Sequence, residues 1–152
     1  MRILLSVEYD GTNYHGWQEQ DNPNTIQGKI QEAIFKFSQE KIKIAVAGRT
    51  DAGVHATGQI AHFDTSINRP LNSWVMGLNS LLPDDIRINN VKIMHDKFHA
   101  RFSALSRTYR YIIYNNKVKP CLSRNKVSWY YLSKLNELDM QHSANKLIGI
   151  KD

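Results

Sequence analysis

The sequence predicts an α+β domain in which an antiparallel four-stranded sheet carries two helices on one face, the ferredoxin-like split βαβ arrangement. Three observations predict it. Strand-type runs, aliphatic or alternating, stand at residues 3–9, 42–46, 59–63 and 86–93. Two stretches with apolar residues at helical spacing fall between the first and second and between the third and fourth of these runs. The order is therefore β-α-β-β-α-β, and turn-forming residues punctuate it. The sheet face opposite the helices is left open for a ligand or a second sheet.

The first strand, 3–9, ends in Asp10-Gly11-Thr12-Asn13, a run of turn formers. A loop with several polar and aromatic residues, among them His15, Trp17 and Gln18, continues to Asn24. Asn24 or Thr25 can cap the first helix, whose apolar face is Ile26, Ile30, Ala33, Ile34 and Phe37. The second and third strands flank the ten residues 47–56. Asn68-Arg69-Pro70 opens the second helix, with Pro70 in its first turn; its buried face is Leu71, Trp74, Val75, Leu78 and Leu81 or Leu82, and Pro83-Asp84-Asp85 stops it. The fourth strand places Ile86, Ile88, Val91 and Ile93 imperfectly in phase around Asn89-Asn90, as a bulge would.

The second part of the chain begins with a crossing segment, 95–104. Residues 106–114 then alternate, with Arg107, Tyr109, Tyr111 and Ile113 on one side and Thr108, Arg110, Ile112 and Tyr114 on the other, which reads as a strand. A short strand at 127–132 follows. A final helix takes Leu135, Leu138, Met140, Ala144, Leu147 and Ile148 as its apolar side, and the chain stops at Lys151-Asp152. One or two strands and a helix close a core poorly. The expected division is thus a first domain over 1–97 and the incomplete start of a second, similar α/β domain over 98–152.

The 152 residues suffice for one good core or one core and part of another. No apolar run approaches the length of a membrane span, and no signal peptide is expected. The single cysteine, Cys121, cannot form an internal disulfide, which fits a reducing, cytoplasmic setting; it is expected to be a small, partly buried side chain rather than a nucleophile. The six histidines show no paired ligand spacing, so no metal and no cofactor is expected. A net charge of +6 suits a polyanionic partner, or reflects only a composition rich in Lys and Asn.

Residues 47–56 read A-G-R-T-D-A-G-V-H-A. Gly48 and Gly53 bracket one carboxylate, Asp51, with Arg49 two residues before it. A loop between two strands is aimed by rigid elements, and its glycines permit φ > 0 or close approach of another backbone. On spacing alone an Asp there more often caps a turn than performs chemistry.

The motif resembles the signature of the tRNA pseudouridine synthase A (TruA) family. The resemblance extends to Tyr9-Asp10-Gly11-Thr12, Gly16-Trp17-Gln18, Gly58-Gln59, Leu82-Pro83 with Asp85-Ile86, Phe98-His99-Ala100-Arg101, and Arg107 with Tyr109 and Tyr111, in the family's order. It implies an isomerase that converts uridine to pseudouridine in the anticodon stem-loop of tRNA, at positions 38–40, by flipping the base. It implies that Asp51 is the catalytic carboxylate, that Tyr109 lies against the uracil, and that Arg49 helps to take the base out of its stack. Without the resemblance Tyr109 reads as a packed strand tyrosine and Arg49 as an ion-pair partner of Asp51 or another carboxylate. Tyr111 is expected to pack, and His55 to be a hydrogen-bonded loop histidine rather than a general base. Arg101, Arg107 and Arg110 are RNA phosphate contacts or solvated surface charge, and the aromatic loop around Trp17 stacks on RNA or packs onto the domain.

Family members are homodimers with a second domain that completes the active site. The resemblance therefore implies an N-terminal portion, weakly active or inactive alone. The alternative from another class is a ferredoxin-like module that binds RNA without catalysis.

Overall fold

A computed structural model describes residues 1–20 and 24–150. The part of the expected first loop at 21–23, and the final Lys151 and Asp152, lie outside the described residues. The chain divides into two compact units, residues 1–108 and 109–152.

In the first unit, β1 (Arg2–Tyr9), α1 (Ile26–Ser38), β2 (Ala45–Val46), β3 (Ala56–Asp64), α2 (Leu71–Leu81) and β4 (Ile86–Met94) follow in the expected order. The sheet runs β2-β3-β1-β4 and every neighbouring pair is antiparallel. This is the split βαβ arrangement, with the two longest ladders meeting on β1. Period-two alternation puts Ile3, Leu5, Val7 and Tyr9 of β1 on one face. They share a single core with Ala61, Phe63, Ile86 and Ile88, with Ile26, Ile30, Ala33 and Ile34 of α1, and with Trp74 and Leu78 of α2. Both helices therefore cover the same side of the sheet.

Thr25, not Asn24, caps α1: its hydroxyl accepts from the Gly28 N–H at 3.2 Å. Pro70 occupies the cap position of α2. The face expected for α2 buries Trp74 and Leu78, and Leu82 just beyond the helix, while Leu81 points outward. Phe37 and Trp74 join the helices, with ring centroids 5.0 Å apart. The phase slip in β4 is a bulge: Ser6 lies opposite Asn90 and Val7 opposite Ile88, so Asn89 is the inserted residue. Ile86, Ile88 and Val91 can then all face inward, but Ile93 is exposed beyond them. The second strand is much shorter than the expected 42–46; only Ala45 and Val46 pair with β3.

The crossing segment lies on the face away from the helices at one end of the sheet. Ala100 is buried there and donates its N–H to Nδ1 of His62, a β3 residue on that face, at 3.2 Å. Arg2 grips Asp64 with two hydrogen bonds of 2.8 and 2.6 Å and also donates to the Phe98 carbonyl at 2.6 Å.

In the second unit, β5 (Ile113–Asn115) and β6 (Ser128–Tyr130) pair in parallel over three residues, and α3 (Glu137–Asn145) follows. The expected strand over 106–114 is largely absent: only its last two residues enter β5. Alternation alone cannot make a ladder where no partner strand runs alongside. Tyr111, expected to pack, is 80% exposed, and its hydroxyl accepts from Ser128 Oγ at 2.6 Å. Cys121 is exposed rather than partly buried. Of the apolar residues expected to line the last helix, Leu135 is partly buried but lies before α3; within α3 none is buried, and Leu138 is 81% exposed.

No described helix is long and apolar enough to cross a membrane.

Candidate active site

The loop between β2 and β3 is built onto the sheet at both ends. Ala47 N–H donates to the Ile60 carbonyl at 2.8 Å, and the Gln59 side-chain amide donates to the Gly48 carbonyl at 2.7 Å. At the far end the β1–β3 ladder slips by one residue, so that Thr57 and Gly58 together stand opposite Glu8. A bulge at such a place bends the strand and redirects the residues before it.

Between these ends the loop rests on the segment that leaves β1. Trp17 N–H donates to the Thr50 carbonyl at 2.9 Å, and the Thr50 hydroxyl pairs with the Tyr9 hydroxyl at 2.8 Å. Gly53 N–H donates to the Tyr14 carbonyl at 3.3 Å. Two glycines let the backbones touch. A β-carbon on Gly16, whose φ is +85°, would stand 2.5 Å from the Thr50 oxygen, and one on Gly11 would stand 2.0 Å from the Val54 oxygen. The same segment holds the start of α1: Ile26 N–H donates to the Gly16 carbonyl at 3.2 Å and Gln27 N–H to the Trp17 carbonyl at 2.9 Å. Helix, glycine segment and loop thus form one hydrogen-bonded stack.

Asp51 opens the turn at the top of this stack. Val54 N–H donates to the Asp51 main-chain carbonyl at 3.2 Å, and Gly53 holds φ +76°, as a type II turn requires. The main chain closes the turn. Among the described residues the Asp51 carboxylate makes no hydrogen bond and no ion pair, so it is not the cap that spacing alone favours; the side chain is exposed. Arg49 is also exposed, and no ion pair joins it to Asp51. What the arrangement offers is a carboxylate on a braced turn, open to a ligand, with a cation two residues away.

His55 is the hydrogen-bonded loop histidine of the sequence reading. Its Nδ1 lies 3.1 Å from the Gly11 N–H and 3.0 Å from Asp10 Oδ1. Asp85 braces the same region. Its main-chain carbonyl accepts from Asp10 N–H at 2.9 Å, and its carboxylate accepts from the Tyr14 hydroxyl. Burial and that carboxylate hold the Tyr14 phenol well above its ordinary value.

Trp17 is fully buried, so the first loop packs rather than offering that ring to solvent. Arg107 donates to the Ala47 carbonyl at 3.0 and 2.7 Å and to the Arg101 carbonyl at 3.1 Å. The guanidinium of Arg101 lies 5.8 Å from the Phe102 ring centroid. Tyr109 and Arg110 belong to the second unit, where Tyr109 is 72% exposed and lies outside any ladder. Thr50 and Tyr14 were not singled out by sequence reasoning. The glycines beside them were the available signal, because close backbone contact leaves only Gly acceptable. No group of three or more His, Cys, Asp or Glu suited to a metal occurs among the described residues.

A split βαβ sheet presenting one open carboxylate on a glycine-braced turn defines a class of compact domain with a loop-borne acidic site. The chain belongs to the tRNA pseudouridine synthase family, whose profile matches residues 5–103. It is 46% identical over all 152 residues to the tRNA pseudouridine synthase A of Shewanella denitrificans and 48% identical to that of Pseudoalteromonas atlantica. It is 46% identical over 151 residues to the Coxiella burnetii protein of the same name. The match covers the N-terminal part of these relatives, and the chain spans 57–58% of their length.

Proposed function

We propose that this chain supplies the aspartate-bearing part of a tRNA pseudouridine synthase acting on uridine in the anticodon stem-loop, at positions 38–40, in the cytoplasm. The observation that carries the reading is the open Asp51 carboxylate on a turn whose backbone is fixed from beneath. In the reaction the N1–C1′ bond breaks, the uracil rotates, C5 bonds to C1′, the C5 proton leaves and N1 gains one. Nothing is oxidised or reduced. Asp51 starts it by attacking C1′, by adding to C6, or by taking the 2′ proton. Each route needs a carboxylate oxygen within contact of a flipped nucleoside, which an exposed turn permits. Tyr109 stacks on the uracil, Arg49 takes the displaced strand, and Arg101, Arg107 and Arg110 lie along the phosphates. Residues 1–97 form the RNA-binding domain with the catalytic Asp, and 98–152 open the second α/β domain. A homodimer shares one tRNA between its subunits.

The test exchanges residues 1–152 for the matching stretch of the Shewanella denitrificans relative and supplies tRNA tritiated at uridine C5. Pseudouridine formation releases the label; binding does not. The chimera should release tritium, and Asp51→Asn should abolish release while tRNA affinity is kept. Because the side chain is exposed and unpaired, stability should change by no more than about 0.5 kcal/mol. Release by Asp51→Asn at the parent rate would refute the assignment; RNA binding without release by the chimera would favour a non-catalytic module.

A further inference from the structure

We propose that Phe102, with His99 and Arg101, forms a stacking seat for an unpaired nucleobase next to the uridine at Asp51; the proposal rests on the RNA reading above. A single exposed apolar side chain ordinarily needs no explanation. Phe102 differs in being 78% exposed on a segment that is firmly held. Ser103 N–H donates to the His99 carbonyl at 2.7 Å, His99 N–H donates to Ser103 Oγ at 3.0 Å, and Arg101 N–H donates to His99 Nδ1 at 3.2 Å. Beneath this turn Ala100 is buried against His62, and Arg2 holds the Phe98 carbonyl. The ring is therefore displayed by a rigid support, which limits the entropy lost when a ligand stacks on it.

Its neighbours suit a nucleotide. The His99 ring lies 4.4 Å from the Phe102 ring at 32°, and the Arg101 guanidinium lies 5.8 Å from its centroid. An aromatic face takes a base of any sequence, and an adjacent cation adds attraction to the phosphate. The seat is also tied to the Asp51 loop. One nitrogen of Arg107, Nη2, donates to the Ala47 carbonyl at 2.7 Å and to the Arg101 carbonyl at 3.1 Å. Ala47 begins the motif that carries Asp51, so a single guanidinium joins the start of that loop to the backbone of the seat. On this proposal, a nucleotide flanking the uridine at Asp51 lies on this turn.

The experiment measures binding of the 152-residue chain to a fluorescein-labelled anticodon stem-loop RNA and to a fully paired RNA of equal length, by anisotropy across a salt series. Phe102→Ala should weaken stem-loop binding about tenfold or more, leave the paired RNA unaffected, and keep the salt slope, because no phosphate contact is lost. Phe102→Trp should restore parent affinity, which separates stacking from misfolding. Arg101→Ala should flatten the slope. Parent-like stem-loop binding by Phe102→Ala, or equal weakening for both RNAs, overturns the seat and leaves the RNA reading standing. Failure of the parent chain to bind either RNA at low salt overturns both.

Discussion

Gly16 lies directly beneath the Thr50 carbonyl, so close that a β-carbon would sit 2.5 Å from the oxygen, and its own φ is +85°. Asp51 follows Thr50 in the chain. The contact therefore fixes the peptide from which the Asp51 side chain projects.

Gly16→Ala should meet two penalties at once. The left-handed backbone costs roughly 1–2 kcal/mol for a residue with a β-carbon. Displacing the Thr50 peptide adds roughly 1–3 kcal/mol. Gly53 provides the control, since its φ is +76° but nothing stands within 4 Å of an added β-carbon. Gly53→Ala should incur only the first penalty. Urea denaturation of both variants checks this, and equal losses would mean that the Gly16–Thr50 contact does not constrain the loop.

His62 gives the fold a pH dependence of definite sign. Burial is the leading cause that lowers its pKa, the positive charge of Arg2 and His99 adds to it, and Asp64 opposes it. The unfolded chain takes up a proton near the ordinary value of about 6.5, while the folded chain resists it. Stability should thus be full above that pH and decline as the pH falls toward the depressed value. In His62→Asn the amide oxygen can replace Nδ1 as acceptor for the Ala100 N–H, and the titrating group is gone. The urea midpoint of the parent should drop more between pH 7.5 and 5.5 than that of the variant. Identical drops would show that His62 titrates alike in both states.

The first unit was legible because each signal had a partner to act on. The faces of α1 and α2 met the alternating face of β1, and the phase slip at Asn89 marked a real bulge, since the inward residues on both sides of it were required by the same core. The motif around Asp51 was legible as a sequence, but its bracing was not. Spacing cannot show that Gly16, 34 residues before Thr50 in the chain, supports Thr50 from below. That Arg107 also holds the main-chain carbonyls of Ala47 and Arg101 was equally hidden, because spacing does not say which backbone a side chain reaches. In the second unit the periodicity of 106–114 was real but had no neighbouring strand to pair with, and the apolar residues of the last helix had nothing to cover them.

The same contrast predicts uneven protection against hydrogen exchange. β1 is paired on both sides through long ladders, and its inward side chains are fully or almost fully buried. The β5–β6 ladder is three residues long, and α3 has nine residues with none buried. A helix so short is marginal without packing, even with Asn136 accepting from the Leu138 and Asp139 amides at 3.1 and 3.4 Å. Amides of β1 and β3 should exchange only through global unfolding, while those of α3 and the β5–β6 pair should exchange through local opening that costs little. Mass spectrometry of peptides from each unit would resolve the two regimes. Comparable protection in α3 and β1 would mean that residues 109–150 are stabilised by contacts beyond those within the second unit, and adding urea would then release both sets of amides together.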